Sequence, residues 1–369
     1  MTDPRIEKLA DVLVSYSVAV RPGDRVLING TALAEPLLKA VYARVLQAGG
    51  HPLMQVGLPG TEELLFRYAS EEQLQHVPEP LRLAMETYDV RISIGGSENT
   101  KALSGVDPSR MVLYERARTE LMKTFMRRSA AGELRWTVAI FPTNAYAQDA
   151  EVSLTEYEDF AYGACMPDMD DPVGYWRRFS SRQQKIVDWL KGKKQVHVVG
   201  PETDLRLGIA DRVFVNCDGR YNMPDGEVFT GPVEDSVDGH VLFSYPAIYG
   251  GREVTGVRLW FEQGRVVRAS AEKNEDFLLG TLNTDEGSRR VGEFAIGTNE
   301  GITRFTRQIL FDEKINGSFH LAVGAGYPET GSKNESAVHW DMICDLRHGG
   351  EIRVDDELLY KDGRFVIEL

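Results

Sequence analysis

Two hydrophobic periods share the first half of the chain, and the shorter one takes over in the second half. In residues 4–20, PRIEKLADVLVSYSVAV, the apolar positions Ile6, Leu9, Val12 and Leu13 recur at helical spacing. A turn at Pro22-Gly23-Asp24 leads into RVLING, a β-branched run of strand length. EPLLKAVYARVLQAGG follows as a helix stopped by its double glycine, and HPLMQVG as the next strand. Strand, helix and strand in this succession predict a βαβ unit with parallel pairing. DVRISIGGSEN and RWTVAIFPTNAYAQ repeat the strand-into-loop pattern, so the first half is expected to form an α/β domain around a mainly parallel sheet.

After the helical stretch GYWRRFSSRQQKIVDWLKGKK the texture changes to short β-rich runs: QVHVVG, TDLRLGI, RVFVNCDG, HVLFSYPAIY and EVTGVRLWFEQGRVVRASAE. Glycine and aspartate punctuate them as in hairpins, and EQGR reads as a hairpin turn. A helix is expected over 274–292, and the last segment, EIRVDDELLYKDGRFVIEL, as two strands around a DG turn. The expected domains are therefore 1–193, α/β, and 194–369, mainly antiparallel β with some helix (α+β).

A formal net charge of −14 makes a nucleic-acid backbone an unfavourable partner, and no apolar run reaches the length of a membrane span. Cys165, Cys217 and Cys344 are scattered and form no C-x-x-C pair, which argues against a disulfide scaffold or zinc ribbon and for a reducing compartment. The opening MTDPRIEKLADVLV reads as an amphipathic helix rather than a secretory signal, so a cytoplasmic location is expected. The loop ISIGGSENT lacks both nucleotide-binding glycine spacings and reads as a strand-end turn.

The candidate chemistry lies in the second domain. In NESAVHWDMICDL, side chains of an extended chain alternate faces, so His339 and Asp341 share one face and Trp340 and Met342 the other. Three further stretches set an ionisable group in an apolar or glycine-rich context: NMPDGEVFTGP at Glu227, VGEFAIGTN at Glu293, and FDEKINGSFHLAVGAGYPET at His320 and Tyr327. Burying each charge alone is expensive, which predicts that they meet around a cation. Carboxylate and imidazole without thiolate is the ligand set of Zn²⁺, Co²⁺ or Mn²⁺ in hydrolytic sites. Each residue also has a plainer reading: Glu227 as a solvated hairpin carboxylate, Glu293 as a helix cap, His320 as a satisfied core histidine, Tyr327 as a turn residue. His51, His76, His197, His240 and His348 fit structural or surface roles better.

The order NMPxxEVFTxP, GEFAIGTN, FDEK…HxAxGxxYPET and KNESAxHWDM resembles the M29 metallopeptidases, the aminopeptidase T and aminopeptidase S group. RPGDRVLI, RWTVAIFPTNAYAQDAE and EYEDF extend the resemblance through the N-terminal half. It implies a homodimeric two-metal aminopeptidase acting on short peptides with a free N-terminus. Glu227, Glu293, His320, Tyr327, His339 and Asp341 match motif positions of metal ligands, with Glu293 shared by both ions. Glu313 matches an acidic position near the metals, although the KINGSF segment between it and His320 is longer than in some relatives.

In such a site paired ions activate a water and polarise the scissile carbonyl. Glu313 is then the expected proton shuttle if it is not itself a ligand, and Tyr327 either a donor to the oxyanion or a ligand. The competing readings are a two-metal phosphoesterase, which the lack of an adjoining basic cluster disfavours, and a non-enzymatic binding protein with structural ions.

Overall fold

Strands that pair in parallel need a crossover between them, and the first half of the chain supplies it. In the computed structural model, which describes residues 3–369, Arg25–Thr31 pairs in parallel with His51–Gly57 and Val90–Gly95, and Val90–Gly95 with Arg135–Ile140. The helix Glu35–Gln47 makes the first crossover and buries Leu37, Leu38, Val41 and Val45. The expected parallel sheet is the one observed. A fifth strand, Asn222–Met223, comes from far along the chain and pairs in parallel with Val138 and Ala139. The helix expected over 4–20 begins at Pro4, capped by the Asp3 side chain, and widens to π geometry over Val12–Ser17.

The chain divides into two compact units. One runs to Trp176 and includes Gly219–Pro224; the other comprises Arg177–Asp218 and Asp225–Leu369. The second unit is built from antiparallel sheets, as its alternating pattern predicts. An eight-stranded sheet runs from Arg265–Ser270 at one edge through Thr203–Gly208 and Gln195–Gly200 to Arg364–Phe365 at the other. A five-stranded sheet has the order His339–Asp345, Ser318–Gly324, Val291–Gly297, Glu227–Thr230, Val215–Cys217. One continuous apolar core joins them: Val196, Val198, Leu205, Leu207 and Leu259 from the larger sheet meet Phe294, Ile296, Phe319, Leu321, Trp340 and Met342 from the smaller. Only one face of the five-stranded sheet is spent on that core.

Two elements differ from expectation. The helix expected over 274–292 is Glu275–Leu282, followed by a single 3-10 turn at Gly287–Arg289. The Asp285 side chain accepts from Ser288 N at 2.9 Å, a local turn that competes with continuing the helix. The C-terminal segment forms three strands rather than two, Glu351–Val354, Glu357–Lys361 and Arg364–Phe365. Asp355 and Asp356 both take left-handed φ, 48° and 65°, and make a tight hairpin ahead of the DG turn. Among the described residues no helix is long and apolar enough to cross a membrane.

Trp340 is 1 % exposed and packs on Tyr249 and Phe277, with ring centroids 5.3 and 6.0 Å away. Trp340→Ala is expected to cost about 3–5 kcal/mol in denaturant unfolding, the usual loss for a buried large aromatic. A change below about 1 kcal/mol would show that this face is not packed as described.

Candidate metal centre

The free face of the five-stranded sheet carries the ionisable residues, and pairing register explains how they fit there. Glu293, Ala295 and Gly297 alternate onto this face from one strand, His320, Ala322 and Gly324 from the next, and His339 and Asp341 from the edge strand. Each large group lies opposite a small one: Glu227 faces Gly297, His320 faces Ala295, Glu293 and Asp341 both face Ala322, and His339 faces Gly324. The small residues leave the room that several carboxylates and imidazoles need above one patch of sheet. A bulge beside Gly292 sets the aim of Glu293. A Cβ on Gly292 would stand 2.2 Å from the Ala325 carbonyl oxygen, so no larger residue fits.

The plainer readings of the two glutamates do not match the strands that carry them, whereas Tyr327 does stand in a turn, just ahead of the 3-10 residues Pro328–Thr330. Glu227 and Glu293 are 5 % and 4 % exposed and lie within strands, not in a solvated turn or at a helix cap. His320 is buried with its Nε2 turned to three carboxylates: Glu227 Oε2 at 3.4 Å, Glu293 Oε1 at 3.5 Å and Asp341 Oδ1 at 3.9 Å. His339 Nε2 lies 3.5 Å from Glu293 Oε2 and 3.6 Å from Asp341 Oδ1. The two oxygens of Glu293 thus face two different histidines. Glu293 belongs to two clusters whose ligand atoms lie within 4.8 Å of one another, one with Glu227 and His320, the other with His339 and Asp341. Glu313 joins a third, with His320 and Asp341. The Tyr327 ring packs edge-on against His339 and Phe229, with centroids 5.2 and 5.3 Å apart. All seven residues singled out in the sequence therefore meet in one place.

The backbone settles which ring nitrogens face the cluster. His320 Nδ1 lies 3.0 Å from the Glu313 carbonyl and His339 Nδ1 2.8 Å from the Ala325 carbonyl. A carbonyl only accepts, so each Nδ1 carries a proton and each Nε2 is turned inward, the arrangement that prepares an imidazole to bind a metal. Glu227 Oε2 is buried with no hydrogen-bond partner. Such an oxygen is costly in a protein interior and fits a cation at this point. The donor set fits as well: carboxylates and imidazoles suit Zn²⁺, Co²⁺ or Mn²⁺.

Without an ion, protons must do part of this work. Burial pushes the Glu227 carboxyl up to about 8, with Lys314 and His320 opposing and Glu313 and Glu293 adding to the rise. Burial also raises Glu293. For the histidines burial alone would act downward, but the carboxylates outweigh it: Glu293, Glu227 and Asp341 hold His320 up at about 9, and Asp341 and Glu293, with the Ala325 carbonyl, hold His339 up at about 10. Burial would raise Asp341, yet His339 and His320 keep it below the ordinary range. Burial and then the charge of Glu293 and Asp341 push the Tyr327 phenol far up, so in the absence of an ion it keeps its proton.

Three residues at the site escaped the sequence reading. Lys314 is fully buried, its Nζ in direct contact with Glu313 and 3.8 Å from Glu227 Oε1. Asp225 and Cys217, both buried, form a further cluster with Glu227. The i, i+2 spacing of Asp225 and Glu227, and a lysine that follows Asp312 and Glu313 in LFDEKI, are the only local signals. Nothing local marks Cys217; it arrives by pairing opposite Glu227. The remaining histidines lie elsewhere, His197 with its Nε2 2.8 Å from Asp204 Oδ1 on the other sheet.

Comparisons with known proteins point to one family of enzymes. The thermophilic metalloprotease (M29) family model matches residues 2–365. Aminopeptidase 2 of Geobacillus stearothermophilus is 28 % identical, with 100 % of this chain and 99 % of the relative covered. Aminopeptidase T of Thermus aquaticus is 30 % identical over 97 % of this chain and 95 % of its own. The solved structure of wild-type AmpT from Thermus thermophilus superposes with a TM-score of 0.87 at 25 % identity, covering 99 % of each chain.

Two outcomes follow from the site. Glu227, His320 and His339 hold protons to higher pH in the folded chain than in the unfolded one, where carboxyl and imidazole release them near 4.5 and 6.5. The stability they contribute is complete below those unfolded values and is lost as pH rises through about 8, 9 and 10. Metal-stripped protein should therefore lose stability from about pH 5 towards pH 10, and loading a divalent ion at pH 7 should release protons. Titration calorimetry in buffers of different ionisation enthalpy reads that release; a binding heat independent of buffer would contradict it. Separately, Ala322→Leu should fill the gap between Glu293 and Asp341 and sharply lower ion content by elemental analysis. The core lies on the opposite face, so the circular dichroism of the folded chain should persist, with a stability cost of about 1–3 kcal/mol.

Proposed function

The chain belongs to the thermophilic metalloprotease (M29) family and is a metallo-aminopeptidase, and from that premise we propose that it removes N-terminal residues from short peptides with two divalent ions held on the free face of its five-stranded sheet. One observation carries the two-ion reading: Glu293 directs Oε1 to His320 and Oε2 to His339, each at 3.5 Å, the attitude of a carboxylate shared between neighbouring cations. Charge supports it. Asp225, Glu227, Glu293, Glu313 and Asp341 bring five negative charges when ionised and Lys314 one positive, a difference that two divalent ions balance.

Glu227 and His320 would hold one ion, His339 and Asp341 the other, with Glu293 common to both. When bound, such a pair acidifies a water and polarises a carbonyl. The protein's own groups supply the rest. Glu313 sits beside His320 and Asp341, where its carboxylate can take a proton from the attacking water and return it to the leaving amine. The Tyr327 phenol, whose ring packs edge-on against His339, is placed either to donate to the developing oxyanion or to hold an ion through its oxygen. His339 is more exposed than Glu227, Glu293, Glu313, His320 or Asp341, so the site opens on its side. A free α-amine entering there meets a carboxylate-rich rim, and an internal peptide segment has no such group to offer. Homodimeric assembly and a cytoplasmic location complete the proposal; the free, buried state of Cys165, Cys217 and Cys344 suits a reducing compartment.

Chelation should abolish, and Co²⁺, Zn²⁺ or Mn²⁺ restore, release of N-terminal residues from short peptides, while p-nitrophenyl phosphate stays intact. Glu293→Gln should lower kcat/KM by no less than the roughly 10²–10³ that loss of one electrostatic stabiliser costs. Full activity in a metal-free sample would end the proposal.

A further inference from the structure

The corner formed by Cys217, Asp225 and Glu227 has the makings of a further ion site, yet a lysine faces it. The ligand atoms of these three buried residues lie within 4.8 Å of one another. Antiparallel pairing sets Cys217 directly opposite Glu227. Asp225 is pinned through its backbone: Asn299 Nδ2 donates to its carbonyl at 2.7 Å. Lysine is almost never fully buried unless paired, and the Lys314 ammonium is paired on this side, with Glu227 Oε1 at 3.8 Å and with Glu313, within the field of Asp225. Glu227 is thus divided between two cations. Its Oε1 serves the ammonium, and its Oε2, which has no hydrogen-bond partner, points to the histidine side.

We propose that Lys314 is a positioning residue, a built-in cation that closes the Cys217–Asp225–Glu227 corner to a further divalent ion and so fixes both the number of ions bound and the exclusion of the thiol from their ligand shell. The inference rests on reading the cluster as a divalent-ion centre. Its physical basis is competition. A compact ammonium on a flexible stem already supplies the positive charge that Asp225 and Glu227 demand, and an arriving ion would have to sit beside it at like charge. A thiolate ligand would also bias the centre towards soft metals, whereas a set of carboxylate and imidazole keeps it suited to hydrolytic ions. With Lys314 in place the five carboxylates need two divalent ions; with the ammonium removed they are left one charge short, beside three ligand-type side chains within 4.8 Å of one another.

The test uses Co²⁺-loaded full-length chain, read by elemental analysis and by the near-ultraviolet band that a thiolate–cobalt bond gives. Wild type should show no such band, and Cys217→Ser should leave its ion content unchanged. Lys314→Met, close in length but uncharged, should take up about one more Co²⁺ per chain and gain the band; adding Cys217→Ser should remove the band. Lys314→Arg, which keeps the charge, should behave as wild type. A thiolate band in wild type, or Lys314→Met with unchanged ion content and no band, overturns the inference while leaving the aminopeptidase reading intact. Should Lys314→Met fail to fold, the wild-type spectrum and the Cys217→Ser ion content still decide. A wild-type chain that takes up no ion at all, by contrast, defeats the metal-centre reading itself and the role of Lys314 with it.

Discussion

Mutual repulsion among carboxylates crowded on one buried sheet face is the constraint to which the rest of this protein answers. Glu227, Glu293 and Asp225 are almost wholly removed from water, and Asp341 and Glu313 lie close beside them. A charge so placed and left unpaired costs several kcal/mol, and neighbours of the same sign add to that. The fold tolerates the arrangement only because positive charge is supplied: by one buried ammonium, and by either protons on the two inward-turned imidazoles or the cations that displace those protons. Each source is oriented by something harder to move than itself. The carbonyls of Glu313 and Ala325 direct the two histidines, and the carboxylates on either side of Lys314 hold its Nζ.

Such precision needs a rigid support, and the opposite face of the same sheet provides it. Phe294, Phe319, Leu321, Trp340 and Met342 are packed into the core shared with the eight-stranded sheet. Because side chains alternate, each functional position on a strand is flanked by residues anchored in that core: Asp341 by Trp340 and Met342, His320 by Phe319 and Leu321. A shift of one residue in register would send the charged groups into the core and the aromatic ones to the site. Apolar packing and site geometry are thus a single requirement. The alanines and glycines opposite the charged residues belong to it too, since they keep the free face open where the opposite face is full.

Much of this is legible in the order of residues. A period of two and a period of 3.6 are local properties, so the parallel first half, the antiparallel second half and the division of His339 and Asp341 from Trp340 and Met342 follow from the order of residues alone. So does the ligand chemistry, because a carboxylate or imidazole embedded in an apolar strand implies a partner. Where the local pattern misleads, the cause is local too: the Asp285 turn shortens a helix, and the Asp355–Asp356 hairpin divides a strand. Other features depend on which distant segments lie side by side, a matter settled by long-range pairing. The return of Asn222–Met223 to the parallel sheet is one, and the meeting of Cys217 with Glu227 another. Lys314 and Asp225 are further cases, for a lysine next to a glutamate looks like a solvated surface pair until the surrounding strands enclose it. By itself the sequence determined the faces of its strands and the kind of atoms they present; only the tertiary structure decided which of those atoms share one enclosed space, because that depends on strand order and register, which no local period encodes.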